Sequence, residues 1–337
     1  MYYVGLDVHA KRSSYCILDE HGRKVKSATV RGPWDKVLCA LTLAPQPFAV
    51  CFEASTGYGY LHRRLSAMAS KVVVAHPGQL RLIFRSKRKS DRVDAEKLAK
   101  LLFLDEVPPV WVPSIEVQAW RSMIERRQQF LGERTRAKNR LRALLRSEGI
   151  VAPKGLWTKR GLAWVTAQSF PTASEALQRD LLVQQVVFLN EALKTLERGL
   201  AAYAARHSGV QVVLTIPGVG VRTAEAVVAY IDDPGRFADP NAIGSYFGLV
   251  PRQDESGGRN RLGHITRQGP PTVRKLLTEA AWQAIRRSPE VRAYFERVQR
   301  DDSDRKKIAV VATAHYLLRV MLAMLRTGEV WRYAPAA

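Results

Sequence analysis

The sequence is poor in acidic residues and in cysteine. It contains 31 Asp and Glu residues against 53 Lys and Arg residues, so its formal net charge is +22. The cysteines are odd in number and lack CxxC spacing, which argues against a disulfide framework and predicts buried free thiols in a reducing cytosol; they are Cys16, Cys39 and Cys51. The chain also lacks the run of about 18 apolar residues that spans a membrane, and the basic and apolar segments of a signal peptide. We therefore expect a cytoplasmic protein with no membrane partner.

The basic excess extends over the whole chain. Residues 1–110 carry 18 basic and 10 acidic side chains, residues 111–210 carry 16 and 8, and residues 211–337 carry 19 and 13. Because the excess is not confined to a tail, it indicates a polyanion that is contacted along much of the molecule, and nucleic acid is the commonest such partner. The alternative is a basic surface that serves only solubility. The hydrophobic fraction of 46% is typical of a globular protein rather than a disordered one.

The first 110 residues predict a mixed α/β sheet in which each of two strands ends in an acidic residue. Apolar β-formers precede Asp7, so we expect a buried first strand, and two further strands continue it as a meander up to residue 30. Strands are also expected at 48–53 and 71–75, with helices between them. Asp7 and Glu53 therefore close the first and fourth strands. An isolated Asp at such a place more often caps a loop, so its role depends on partners elsewhere in the chain.

Those partners follow on a predicted helix that begins at Asp91, with Ser90 as its N-cap. Asp91 and Asp94 are three residues apart and therefore share one helix face. Clustered carboxylates repel one another and take up protons unless a cation binds them, and such oxygen-rich sites suit Mg²⁺ or Mn²⁺. The candidate metal ligands are Asp7, Glu53, Asp91 and Asp94. The basic stretch 81–92 lies beside them in the sequence and would bring a phosphate backbone there.

Long helices dominate the middle of the chain. Prolines at 108, 109 and 113 indicate a linker, and helical spacing then predicts one helix over 115–147 and a second over 172–207. Two such helices would form an antiparallel hairpin, either a coiled coil that also dimerises or an arm packed on its own domain. The predicted fold is thus α/β plus all-α, with domains at 1–110, 114–207 and 208–337.

The last domain is predicted to be mainly helical, with a helix-hairpin-helix-like element at 214–228. Glycines at its turn would let backbone amides face a phosphate, although a plain helix turn is the alternative. A polar loop is expected over 252–269, followed by helices from about residue 272 and over 307–325. Basic residues of the loop and of the stretch 81–92 are candidate nucleic-acid contacts; they are Arg85, Lys87, Arg88, Lys89, Arg252, Arg259, Arg261 and Arg267.

The N-terminal pattern of a strand-borne Asp, a meander, a strand-end Glu and helical Asp residues resembles the RNase H-like fold of RuvC-type nucleases. Sugar kinases and actin-like ATPases also open on a strand-borne Asp, but their phosphate loop needs glycine where this chain has His9. Further motifs resemble IS110-family transposases over nearly the whole chain. These motifs are GLDVH at 5–9, FEASTG at 52–57, SDRVDA at 90–95, LTIPGVGVRTAEAVVAY at 214–230, and GLVP at 248–251 through SGG at 256–258 to GHITRQG at 263–269.

This resemblance implies a mechanism. In the family a D-E-D-D set, here Asp7, Glu53, Asp91 and Asp94, holds divalent metal, and a serine, here Ser256, attacks DNA. The resemblance further implies a structured guide (bridge) RNA encoded in the element, double-stranded donor and target DNA, dimers that assemble to a tetramer, and a nucleoid-associated bacterial or archaeal setting. The alternatives are a RuvC-like junction resolvase that only hydrolyses DNA, and a nucleic-acid-binding scaffold without chemistry.

Overall fold

The computed structural model describes residues 1–83, 90–256 and 259–332, and for residues 254–256 and 259–260 it describes the backbone. The chain divides into two compact units, Met1–Ile115 and Glu116–Ala337. The elements of the first unit are β1 (Tyr2–Val8), β2 (Arg12–Leu18), β3 (Lys24–Arg31), α1 (Trp34–Thr42), β4 (Phe48–Glu53), α2 (Tyr58–Ser66), β5 (Lys71–Ala75), α3 (Pro77–Ile83) and α4 (Asp91–Phe103).

The first unit is built on a five-stranded sheet in the order β3-β2-β1-β4-β5. β1, β2 and β3 form the predicted antiparallel meander, and β1, β4 and β5 run parallel. Helices cover both faces, as the near-continuous apolar runs of the central strands require. The mixed α/β prediction for this part of the chain is confirmed.

Side chains of β1 alternate between two apolar layers. Val4 and Leu6 point into a core with α1 and α2, where Leu38 and Leu61 are fully buried. Tyr3 lies on the opposite face and packs against α4, with its ring 5.3 Å from that of Phe103. This alternation assigns odd-numbered residues of β1 to the α4 side.

Gly5 lets α4 lie directly on β1. A Cβ atom at this position would be 2.0 Å from the Ala95 carbonyl oxygen and 2.3 Å from the Ala99 amide nitrogen, both of them backbone atoms of α4. Ala95 and Ala99 are themselves fully buried and small. Because only glycine fits this contact, the sequence of β1 fixes how closely the helix approaches the sheet.

The second unit is mainly helical, as predicted. Its elements are α5 (Ile115–Ser147), α6 (Lys159–Thr166), α7 (Ala173–Arg206), α8 (Ser208–Leu214), α9 (Val221–Ile231), α10 (Ala242–Tyr246), β6 (Pro251–Ser256), β7 (Arg259–Ile265), α11 (Pro271–Arg287), α12 (Pro289–Gln299) and α13 (Lys306–Thr327). The stretch Ser303–Thr327 is long and apolar enough to cross a membrane, but half of its most apolar window is buried in the protein. Since Leu317 and Met321 of α13 are fully buried in the core, we interpret it as a core helix.

Helices α5 and α7 form the predicted antiparallel hairpin. Their contacts run in opposite directions along the two helices: the Trp120 ring stacks near that of Tyr203, the Arg127 guanidinium binds Glu197 at 2.7 Å, and Arg134 donates to Asn190 at 3.2 Å. A capping box formed by Thr172 and Glu175 starts α7.

The helix-turn-helix at α8 and α9 also forms as predicted. Gly218 in its turn has a φ of +92°, and a Cβ atom there would be 2.4 Å from the Ala284 amide nitrogen of α11. Glycine is therefore required both by the backbone conformation and by the close packing of the turn on α11.

Two predictions are wrong. The segment 252–269 is mostly a β-hairpin and not a loop, because β6 and β7 pair antiparallel. Most of its described side chains, among them Arg252 and Leu262, are exposed, so the pairing relies on backbone hydrogen bonds that no apolar alternation reveals. Cys39 is exposed, whereas Cys16 and Cys51 are buried; the free state of all three agrees with expectation.

Candidate metal-binding cleft

Asp7 and Glu53 lie side by side at the carboxyl ends of two parallel strands. The register of β1 with β4 pairs Leu6 with Phe52, so the next residues of the two strands are these acids. Asp7 shares the α4 face of the sheet with Gly5, and Glu53 shares it with Cys51. Strand alternation alone therefore places both carboxylates on the side that α4 covers.

The N-terminus of α4 supplies the other two acids. Ser90 caps the helix by accepting a hydrogen bond from the Val93 amide at 3.4 Å, as predicted. Asp91 and Asp94 stand in the first turn, where the positive end of the helix dipole stabilises negative charge. The close contact at Gly5 brings this end of α4 to the end of β1.

All four predicted acids line one cleft of about 280 Å³. Its charged and titratable lining residues are Asp7, His9, Glu53, Arg81, Asp91, Asp94 and Lys97. Within it, one ligand atom each of Asp7, His9 and Asp91 lie within 4.8 Å of one another. Glu53 and Asp94 line the same cleft without belonging to that group of three.

Burial and like charge both act on the carboxylates of this cleft. Burial raises the pKa of Asp7, and the nearby carboxylates of Asp91 and Asp94 raise it further, while His9 lowers it. Two cations partly compensate the helical acids: Arg12 Nε lies 2.7 Å from Asp91 Oδ2, and Lys97 Nζ lies 3.4 Å from Asp94 Oδ1. The raised pKa of Asp7 means that its ionised form lacks enough stabilisation from the protein.

The donor set fits a divalent cation. Carboxylate oxygens are the ligands that Mg²⁺ and Mn²⁺ prefer, and a bound cation would offset both the burial and the repulsion that raise the pKa of Asp7. The group of three adds an imidazole nitrogen to this set. The sequence reasoning did not select His9 as a site residue. The signal that could have found it is its position two residues after Asp7, on the same alternating side of the chain.

Only some of the predicted nucleic-acid contacts belong to the part of the chain that the structure describes. Arg85, Lys87, Arg88 and Lys89 lie outside the described residues. Arg252, Arg261 and Arg267 are exposed on or next to the hairpin of β6 and β7. Ser256 ends β6 and its Cα pairs with that of Arg259 at the start of β7, but the side chains of both residues lie outside the described part of the structure.

Two family models match the chain. The model described as "Transposase IS116/IS110/IS902 family" matches residues 210–296, and a DEDD model of IS110 origin, described as "Transposase", matches residues 4–149. The chain is 27% identical over 281 residues to the transposase for insertion sequence element IS1328 of Yersinia enterocolitica, an alignment covering 82% of each chain. It is also 27% identical over 289 residues to the transposase for insertion sequence element IS1111A of Coxiella burnetii, covering 84% of this chain and 78% of the relative.

Proposed function

Since this chain belongs to the IS110 family of insertion-sequence transposases, we propose that it recombines donor and target DNA under the guidance of a structured RNA encoded in its element. The observation that carries the catalytic part of this proposal is the convergence of Asp7, Glu53, Asp91 and Asp94 on one cleft. The RNase H-like fold of the N-terminal part belongs to the proposal and is supported by the order β3-β2-β1-β4-β5 with the acids at strand ends.

In this proposal the four acids hold divalent metal and Ser256 is the nucleophile. A divalent cation held by these acids would supply positive charge to stabilise the charge that develops on phosphodiester oxygens. The Ser256 hydroxyl forms a bond to phosphorus, the bond to the leaving deoxyribose oxygen breaks, and the hydroxyl proton ends on that oxygen. Reverse attack by a hydroxyl of the partner DNA releases the serine and completes strand exchange. The exposed Arg252 and Arg261 would stabilise the phosphate at the serine.

A basic surface at the distal end of the hairpin supports binding of nucleic acid. Residues 134–160 carry nine basic side chains and one acidic side chain, Glu148. Lys138 Nζ and Arg142 Cζ lie 4.8 Å and 5.2 Å from the Trp157 ring centroid. The pKa of Lys138 is lowered by burial and by the neighbouring Arg134 and Arg142. Such unbalanced repulsion favours a polyanion at this surface.

We also propose that the chain is divided into a catalytic domain at 1–110, an arm at 114–207 and a serine-bearing domain at 208–337.

Dimers that assemble to a tetramer are part of the proposal. Their support is a row of exposed apolar side chains along α7, namely Leu177, Leu181 and Phe188, which would be covered by a second copy.

The test of this mechanism compares Ser256→Ala with Ser245→Ala. Ser245 is an exposed serine of α10 in the same unit and serves as the matched control. With guide RNA, Mg²⁺ and nicked DNA that traps a covalent intermediate, we expect a protein–DNA adduct and recombination for the wild type and the Ser245 variant, and neither for the Ser256 variant. Strand cleavage that continues without Ser256 would favour a hydrolytic resolvase.

The metal site is tested separately with Asp7→Ala. We expect this change to abolish Mg²⁺-dependent strand cleavage. Cleavage at the wild-type rate would refute the metal site.

A wild-type protein that binds guide RNA and DNA but never cuts would favour a non-catalytic scaffold. Sequencing the RNA that co-purifies with the protein from its host tests the guide directly.

A further inference from the structure

We propose that His9 is a further metal ligand, so that one cation in the cleft is held by an imidazole nitrogen together with Asp7 and Asp91. This inference rests on the proposed metal function of the cleft, and it adds a residue outside the D-E-D-D set. Its consequence is a change in the metal that the site prefers.

The distances around His9 fit ligands of one ion. His9 Nε2 lies 3.3 Å from Asp7 Oδ2 and 3.8 Å from Asp91 Oδ1. Two ligand atoms that each lie about 2.1 Å from a shared ion are separated by about 3.0 Å at a right angle and about 4.2 Å when opposite. Both observed distances fall in this interval. His9 Nε2 therefore lies near a carboxylate of each of two elements, β1 and α4, as a ligand of a shared ion would.

The backbone at His9 is held on both sides. Its amide donates to the Arg12 carbonyl at 3.0 Å, and its own carbonyl accepts a hydrogen bond from Trp34 Nε1 at 3.1 Å. The Trp34 ring is in turn confined, because it stacks at 6.1 Å from the Tyr60 ring and touches Gly57. A Cβ atom at Gly57 would be 2.4 Å from Trp34 Cη2. The imidazole therefore extends into the cleft from a backbone that hydrogen bonds hold in place, even though 55% of its side-chain surface is exposed.

A nitrogen ligand shifts metal preference. Mg²⁺ favours sites made only of oxygen, whereas imidazole binds later divalent metals better. With His9 as a ligand, we expect the cleft to prefer Mn²⁺ over Mg²⁺ more strongly than the four acids alone would. Replacing His9 with glutamine keeps an oxygen at a similar reach and removes the imidazole nitrogen, and alanine removes the ligand altogether.

The experiment measures metal binding by the full-length protein without DNA. Mn²⁺ is titrated with electron paramagnetic resonance detection, Mg²⁺ is added as competitor, and pulsed spectra are recorded on protein labelled with ¹⁵N-histidine. We expect a ¹⁵N coupling to bound Mn²⁺ in the wild type that is absent from His9→Gln. The preference for Mn²⁺ over Mg²⁺ should fall by about tenfold in His9→Gln, as for loss of a supporting metal contact. The matched control is His21→Gln, since His21 is an exposed histidine 3.9 Å from Glu20.

The outcomes separate this inference from the proposed function. If Mn²⁺ binding disappears in Asp7→Asn, the metal site stands. If in that case the wild type shows no ¹⁵N coupling, or both His9 variants keep the preference for Mn²⁺ over Mg²⁺, the role of His9 is overturned. Mn²⁺ binding that is unaffected by Asp7→Asn contradicts the metal site itself and His9 with it. Coupling that is lost in His9→Gln and retained in His21→Gln supports the inference.

Discussion

Replacing Gly5 with alanine tests the contact that brings the helical acids to Asp7. The added Cβ atom would meet two backbone atoms of α4, the Ala95 oxygen at 2.0 Å and the Ala99 nitrogen at 2.3 Å. No side-chain rotation can relieve a clash with backbone, so α4 must move away from β1 by about 1 Å or more before ordinary contact distances return.

The expected cost is large for a single methyl group. Overpacking of a well-packed core costs about 1–3 kcal/mol, and a backbone clash belongs at the upper end of that range. For a unit of this size, each kcal/mol lowers Tm by about 4–8 °C, so we expect a loss of about 10–20 °C. The displacement of α4 also carries Asp91 and Asp94 away from Asp7, so Mn²⁺ affinity should fall together with stability.

Hydrogen exchange read by mass spectrometry, together with thermal unfolding, measures this effect. Faster exchange is expected in peptides from β1 and α4, within the unit Met1–Ile115. The control is Gly132→Ala in the middle of α5, where the new Cβ would meet only Arg136 Nη1 at 3.5 Å. Alanine there should stabilise the helix by about 0.5–1 kcal/mol. A Gly5→Ala protein with wild-type Tm and exchange would refute the reasoning.

Three further predictions follow from charge and burial. Burial and like charge raise the pKa of Asp7, so its ionised form opposes folding. In the absence of metal, and at a pH above the pKa of folded Asp7, Asp7→Asn should therefore raise Tm. Unfolding measured as a function of pH should show this gain disappear as the pH falls below that pKa, where Asp7 is protonated. Burial raises the pKa of Cys51 to about 12, so mass spectrometry of alkylation near pH 8 should find the exposed Cys39 modified first. If exposed Arg136 and Arg140 contact duplex phosphates, replacing both with glutamine should reduce the slope of log K against log salt by about 1.8.

Elements with strong local signals could be predicted from the sequence. The strands β4 and β5 and the helix α5 have the predicted bounds, because apolar runs, prolines and a long helical spacing mark them within the sequence itself. Ser90 was predicted as an N-cap for the same reason, since the cap and its helix are neighbours in sequence. The convergence of the four acids followed from strand order and helix face.

The missed features either have no clear local pattern or depend on contacts between residues that are distant in the sequence. The hairpin of β6 and β7 has no apolar alternation, and the short helices α3, α6 and α12 lack a long periodic pattern. The ion pair of Arg12 with Asp91 joins residues that are far apart in the sequence, so spacing could not reveal it. In the sequence, His9 only disfavours a kinase-type phosphate loop, because the fold is needed to bring Asp91 beside it.

The end of β1 joins packing and charge through alternate residues. Gly5 has no side chain and therefore admits the backbone of α4, which sets the distance at which Asp91 approaches the strand. Asp7 lies two residues later, and its pKa is raised by burial and by the nearby Asp91 and Asp94, so a bound cation would stabilise its ionised form. His9, two residues later again, lies beside both carboxylates. A substitution at any of the three positions should therefore change cation binding, although Gly5 touches no ion and acts only through the position of α4.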